Sequence, residues 1–375
     1  MADRKGQEET YAARRQRLLG ATATDGFVVF DLDRTMPAHI DHVSLLYLTG
    51  YTGEGALLVL PDEEILMTDS RYVEQAQREA PSLTIEHVEG DYLADIASRV
   101  NERGISRLGY AAWRMTDYVA RRLDEATDAA FIAARDPVAD LRLIKDDVEL
   151  ASLRRAIDIA EGALVETVAG ARAGMTEQEL ADELGAAMRR RGSERASFAG
   201  TVAFGANASL PHYRPGMIPC ALKEGDFVLI DFGGVIDGYV SDITRTYVFG
   251  EPTDKQREIY DLVLRSVEAG IAAIRDGAKA SEPHRLASEV IEASPYAEHV
   301  FLSPLGHGVG LEVHEMPKMG PGFDEPLRAG MVSTVEPGIY IPEVGGVRIE
   351  ETVLVTEHGC EVLNTIPRDR LIRIP

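Results

Sequence analysis

The stretch "DFGGVIDGYVSDITRT" (231–246) holds two aspartates, Asp231 and Asp242, and the apolar run "FVLI" leads straight into the first. Burying a carboxylate at the end of an apolar strand is costly, and burying two costs more unless something positive lies between them. Asp237-Gly238 is a hairpin-turn sequence, so the stretch predicts two antiparallel strands in which Asp231 faces Thr244. Asp242 then lies two residues along from Thr244, on the same face and diagonal to Asp231, about 7–8 Å away at the backbone. A solvated turn with surface acids is the bland alternative, and the apolar run before Asp231 argues against it.

A second strand–turn–strand unit, "STVEPGIYIPEVGGVRIEETVLV" (333–355), places Glu336 before Pro337-Gly338. Glu350 and Glu351 follow Gly345-Gly346, and loop register decides which of them shares a face with Glu336. Arg348 shares the face of Glu350, as a cation that steadies the acids or meets substrate. The segment "PLGHGVGLEVHEMP" (304–317) adds His307 and His314 in a glycine-rich setting, and "SLPHYRPG" adds the weaker signal of His212 between two prolines. His39, His42, His87, His284, His299 and His358 read as surface or packing residues.

Four acids and a histidine that converge put up to four negative charges in one pocket. Such a carboxylate-rich set suits hard to borderline divalent cations. Two such ions about 3.5–4 Å apart share one water and bring its pKa toward neutral, so the residues point to hydrolysis.

The elements that must position these residues divide the chain in two. At 375 residues it is too long for one ordinary core. Residues 1–20 read as helix. Strands at "GFVVFD", "GALLVLPDEEILMTD", "LTIEHV" and "RLGYAA" then alternate with helices, one starting at Thr116 as N-cap, which predicts an α/β domain over residues 1–138. Residues 139–146 read as linker. From 147 to 375 long amphipathic helices, among them 255–277 and one with a Thr176/Glu179 capping box, are grouped with hairpins at 199–205, 227–249 and 331–356, which predicts α+β.

Composition narrows the partners. A net charge of −23 argues against nucleic acid as a partner and disfavours an anionic membrane surface. There is no apolar run of about 18 residues and no secretion-signal pattern at the N-terminus, and the two cysteines, Cys220 and Cys360, fit a reducing cytoplasm.

Together "DFGGVIDGYVSDITRT", "GHGVGLEVHE", "EPGIY" and "GVRIEE" resemble the motif set of the pita-bread metallopeptidases: aminopeptidase P, prolidase, methionine aminopeptidase and the metal-free relative creatinase. The resemblance spans residues 145–370 and implies a C-terminal pita-bread (creatinase/aminopeptidase-like) domain. It places the metal ligands on Asp231, Asp242, His307, Glu336 and Glu350, choosing Glu350 over Glu351. The implied cofactors are two divalent ions, manganese foremost, with cobalt, iron or zinc as alternatives. All five ligand types are present, which speaks against the creatinase-like branch. His212 and His314 are implied to contact substrate and handle protons, and Glu336 to take the proton of the metal-bridging water.

"LLYLTGYTG" and "TDSRYVEQAQ" resemble the first domain of the proline-specific branch, which implies a homodimer acting on short proline-containing peptides. Prolidases carry an arginine four positions after the second histidine to read the substrate carboxylate. Here Lys318 keeps the charge without the fork, and Arg348 is a further substrate-binding candidate. The expected activity is an Xaa-Pro dipeptidase, with Xaa-Pro aminopeptidase as the alternative. Less favoured rivals are a hydrolase of non-peptide amides and a silent binding module on the same scaffold.

Overall fold

The computed structural model describes residues 4–31, 43–300 and 304–375, so His39 and His42 lie outside the described residues. The chain divides into two compact units, Met1–Arg142 and Leu143–Pro375.

The first unit is built on a six-stranded mixed sheet, in the order 84–87, 64–68, 55–59, 26–31, 107–111, 130–134. The three middle strands pair antiparallel and the outer pairings are parallel. Strand Gly55–Val59 is buried along its whole length, which explains its unbroken apolar sequence. Helix Tyr92–Glu102, capped by the Asp91 side chain, buries Leu93, Ile96, Ala97 and Val100 at helical spacing against this sheet. Helix Asp117–Ala126 starts at Thr116, whose hydroxyl accepts from the Val119 amide. Short helices Val43–Thr49 and Pro137–Arg142 and strand Ala130–Ala134 join elements whose sequences alone did not mark them.

The second unit carries helices Asp147–Ala169, Glu177–Arg190, Asp254–Ala273 and Ser281–Glu292. The first three open with reciprocal capping boxes at Asp146/Glu149, Thr176/Glu179 and Thr253/Gln256. One sheet has four strands, in the order 372–374, 243–249, 227–232, 201–204, and another has five, in the order 315–319, 306–308, 332–335, 351–356, 359–362. Residues 201–204 form no hairpin of their own; as a single strand they pair with 227–232, one partner on each side of the apolar run. Among the described residues no helix is long and apolar enough to cross a membrane.

Both acid-bearing units are hairpins. In the first, Asp231 faces Thr244 and Ile236 faces Tyr239 across a two-residue turn. Asp237 and Gly238 both have positive φ, at 52° and 79°, as that turn requires. In the second, Gly338–Ile341 pairs with Gly345–Arg348, and beyond them Val332–Val335 pairs with Glu351–Thr356. Glu336 and Glu350 fall in the gap between those two ladders. Their amides turn to other strands: Glu336 donates to Leu305 O at 2.8 Å and Glu350 to Thr244 O at 3.1 Å. The gap brings each glutamate to a neighbouring strand. One lands beside the His307 strand, the other beside the strand Ile243–Phe249 that follows Asp242.

Candidate metal centre

That gap separates Glu350 from Glu351. Glu351 stays in the ladder opposite Val335 and buries its carboxylate against Arg245, 2.7 Å away. Glu350 has its Oε2 bonded by the Thr244 hydroxyl at 2.7 Å, on the side of Asp231 and Asp242. One ligand atom from each of Asp242, His307 and Glu350 lies within 4.8 Å of the others. Glu336 joins them through His307, whose Nε2 is 3.1 Å from Glu336 Oε1 and 3.7 Å from Asp242 Oδ2.

His307 is held by the strand Gly306–Gly308. A Cβ on Gly306 would sit 1.8 Å from Thr334 O, and one on Gly308 2.2 Å from Met316 O, so only glycine lets the neighbouring strands close on the histidine. The ring's Nδ1 lies 3.1 Å from Gly308 O. A carbonyl only accepts, so Nδ1 carries a proton and Nε2 is the atom turned to the acids.

Asp231 is held by Arg348, a buried guanidinium that also donates from Nε to the Thr244 hydroxyl at 2.9 Å, from Nη1 to Pro211 O at 3.3 Å, and to the Tyr340 hydroxyl. The steadying salt bridge expected of Arg348 is present. Thr244 and Tyr340, which complete its shell, had no signal in the sequence beyond Thr244's place opposite Asp231.

One guanidinium does not balance four carboxylates. Burial pushes the Asp242 carboxyl well up, and the charges of Glu350, Asp231 and Glu336 add to it. Burial and the charges of Glu336 and Asp231 push Glu350 up to about 8. Asp231 is also raised by burial, with Arg348 opposing. For Glu336 burial acts in the same sense, but the hydrogen bond and charge of His307, with Arg348, outweigh it and hold the carboxyl low. For His307 burial opposes protonation, yet Glu336 and Glu350 push the imidazole up to about 9.

The donor set fits a divalent cation. Glu350 Oε1 is buried with no hydrogen-bond partner among the described residues, an arrangement that leaves a desolvated lone pair unanswered. It lies with oxygen and imidazole donors at ligand spacing, in a pocket where burial and mutual repulsion raise three of the carboxyls.

The remaining candidates rim this group. His314 packs edge-on against His307, ring centroids 4.2 Å apart, and burial together with His307 lowers its pKa. His212 is exposed and near enough to Asp231 and His314 for its charge to act on both. Lys318 is the cross-strand partner of His307 and is exposed, with its charge acting on His314.

Residues 151–357 match metallopeptidase family M24, and residues 13–144 match the creatinase/prolidase N-terminal domain. The Xaa-Pro dipeptidase of Pyrococcus furiosus is 35% identical, covering 88% of this chain and 93% of its own length. The crystal structure of an X-Pro aminopeptidase from Thermotoga maritima superposes with a TM-score of 0.88 at 35% identity, covering 96% of this chain and 100% of that one. The structure of an Xaa-Pro dipeptidase from Bacillus anthracis gives 0.89 at 37% identity, covering 97% and 100%.

Proposed function

The chain belongs to metallopeptidase family M24, in the proline-specific pita-bread branch, and from that premise we propose that it hydrolyses the Xaa-Pro bond of dipeptides. The observation that carries the reading is the buried set Asp242, His307 and Glu350, with the unpartnered Glu350 Oε1 among them. Asp231, Asp242, His307, Glu336 and Glu350 are the proposed ligands of two divalent ions, manganese foremost, with cobalt, iron or zinc suited to the same donors. When bound, such ions polarise the scissile carbonyl and lower the pKa of a water toward neutral.

The chain's own groups do the rest. Glu336 takes the proton of the attacking water and returns it to the proline nitrogen as the C–N bond breaks. His212 and His314 donate to the substrate carbonyl as charge develops on its oxygen. Lys318 meets the free carboxylate as a point charge. Arg348 is committed to Asp231, Thr244 and Tyr340, so its part in substrate binding runs through the acids it holds. The unpaired cysteines accord with the proposed cytoplasmic setting, and the N-terminal domain with a homodimer.

The second reading is an Xaa-Pro aminopeptidase acting on longer peptides. It is favoured by Lys318, which offers a carboxylate one charge without a bidentate grip. A panel of Ala-Pro, Ala-Pro-Ala and Met-Ala, assayed after EDTA treatment and again with Mn²⁺, separates the readings. Manganese-dependent cleavage fastest on Ala-Pro is expected. Preference for Ala-Pro-Ala supports the second reading, and cleavage of Met-Ala alone contradicts both.

A further inference from the structure

Glu177 is the first residue of helix Glu177–Arg190, where an acid ordinarily sits in water and complements the helix dipole. Here it is 1% exposed. No lysine, arginine or histidine pairs with it in the described hydrogen bonds. Three neutral donors converge on it instead: the Phe204 amide and Asn207 Nδ2 on Oε1 at 2.8 and 3.0 Å, and the Tyr213 hydroxyl on Oε2 at 2.6 Å. Charge-assisted bonds of this kind are short and strong, and a buried carboxylate holds its donors because releasing them leaves the charge unanswered.

All three donors belong to the segment that runs from strand Thr201–Phe204 to Tyr213, the residue after His212. The pinning is tightest next to the histidine. Tyr213 is 1% exposed, its carbonyl accepts from the Thr201 hydroxyl at 2.9 Å, and its own hydroxyl oxygen accepts from the Ile218 amide at 3.0 Å. The tyrosine proton goes to Glu177, and Asn207 Nδ2 reaches Ile218 O at 3.2 Å, which closes the 207–218 loop at its base. His212 stands on this fixed base, exposed and near enough to Asp231 and His314 for its charge to act on both.

We propose that Glu177 is a positioning residue: by clamping Tyr213 and Asn207 it aims His212 at the substrate carbonyl. This rests on the proline-peptidase reading, in which His212 meets substrate. The described hydrogen bonds of Glu177 go to Phe204, Asn207 and Tyr213 and to none of the proposed metal ligands, so a loss of turnover that depends on His212 and leaves metal affinity intact is the signature of its role. Small displacements of a positioned group cost up to about a hundredfold in rate.

A double-mutant cycle on the full chain tests it, using Ala-Pro hydrolysis with Mn²⁺. Glu177→Gln swaps one acceptor for a donor at the same volume, and Tyr213→Phe removes only the hydroxyl, a second route if the first variant folds poorly. Each is expected to lower kcat/KM about tenfold or more in the wild-type background and to have no effect in the His212→Ala background. Mn²⁺ affinity by titration calorimetry is expected to stay within about twofold of wild type. Equal losses in both backgrounds, an unchanged rate in Glu177→Gln, or an unchanged rate in His212→Ala overturns the proposal. Failure of the wild-type enzyme on every Xaa-Pro substrate instead overturns the substrate reading itself, before any variant is made.

Discussion

Replacing Arg245 with methionine tests the support directly behind the candidate centre. Arg245 and Glu351 are 2% and 0% exposed at their side chains, 2.7 Å apart. Arg245 Nη1 also donates to Glu350 O and, at 3.0 Å, to Thr244 O. Thr244 O keeps the Glu350 amide as donor after the change, but Glu351 is left with Arg368 at 3.4 Å and an Oε2 that has no hydrogen-bond partner among the described residues. Breaking one side of a buried pair costs about 3–5 kcal/mol, because the surviving charge stays desolvated. At about 2–4 °C per kcal/mol for a unit of this size, a loss near 4 kcal/mol lowers Tm by about 8–16 °C. The double variant Arg245→Met/Glu351→Leu removes both charges and leaves chiefly one carbonyl without its donor, a cost of about 1 kcal/mol. Calorimetric melts of wild type and both variants decide the matter. A single variant that melts no lower than the double refutes the reasoning, since Glu351 would then not depend on Arg245.

Glu350→Gln removes a charged ligand while keeping its shape, so metal uptake and Ala-Pro hydrolysis are both expected to fall by about a hundredfold or more, read by metal analysis and initial rates. Gly306→Ala drives a methyl into Thr334 O, with an expected cost of about 1–3 kcal/mol or more and weakened Mn²⁺ binding, checked by thermal melts and titration. Burial raises the Asp226 carboxyl above its ordinary value. Its contribution to stability is therefore full at low pH, below the unfolded-state pKa, and is lost as pH rises through the folded value. Asp226→Asn keeps an acceptor for the Lys223 amide, and its Tm relative to wild type is expected to rise between pH 4 and pH 7; a flat or falling difference contradicts the assignment.

The first hairpin was legible because a two-residue turn fixes its register, so the pairing of Asp231 with Thr244 follows from Asp237-Gly238 alone. The choice between Glu350 and Glu351 came from the family resemblance and not from periodicity, because the second hairpin changes sheets at those residues and local alternation fails where two ladders part. The capping box at Thr176 is sequence-local and readable. Helix Ser281–Glu292 hides behind Pro283, which a first turn tolerates. Strand 201–204 gains its place from pairing with 227–232 rather than from a turn of its own. Glu177 looks like an ordinary helix-start acid. Only the return of residues 204–213 across its carboxylate gives it another role.

Anomalous diffraction at the manganese edge, from crystals grown with Mn²⁺, tests the dinuclear centre most directly. Two peaks are expected within coordination distance of Asp231, Asp242, His307, Glu336 and Glu350, with the Glu350 Oε1 lone pair taken up by metal. No peak there, or metal bound away from these five side chains, contradicts the centre and the hydrolysis built on it.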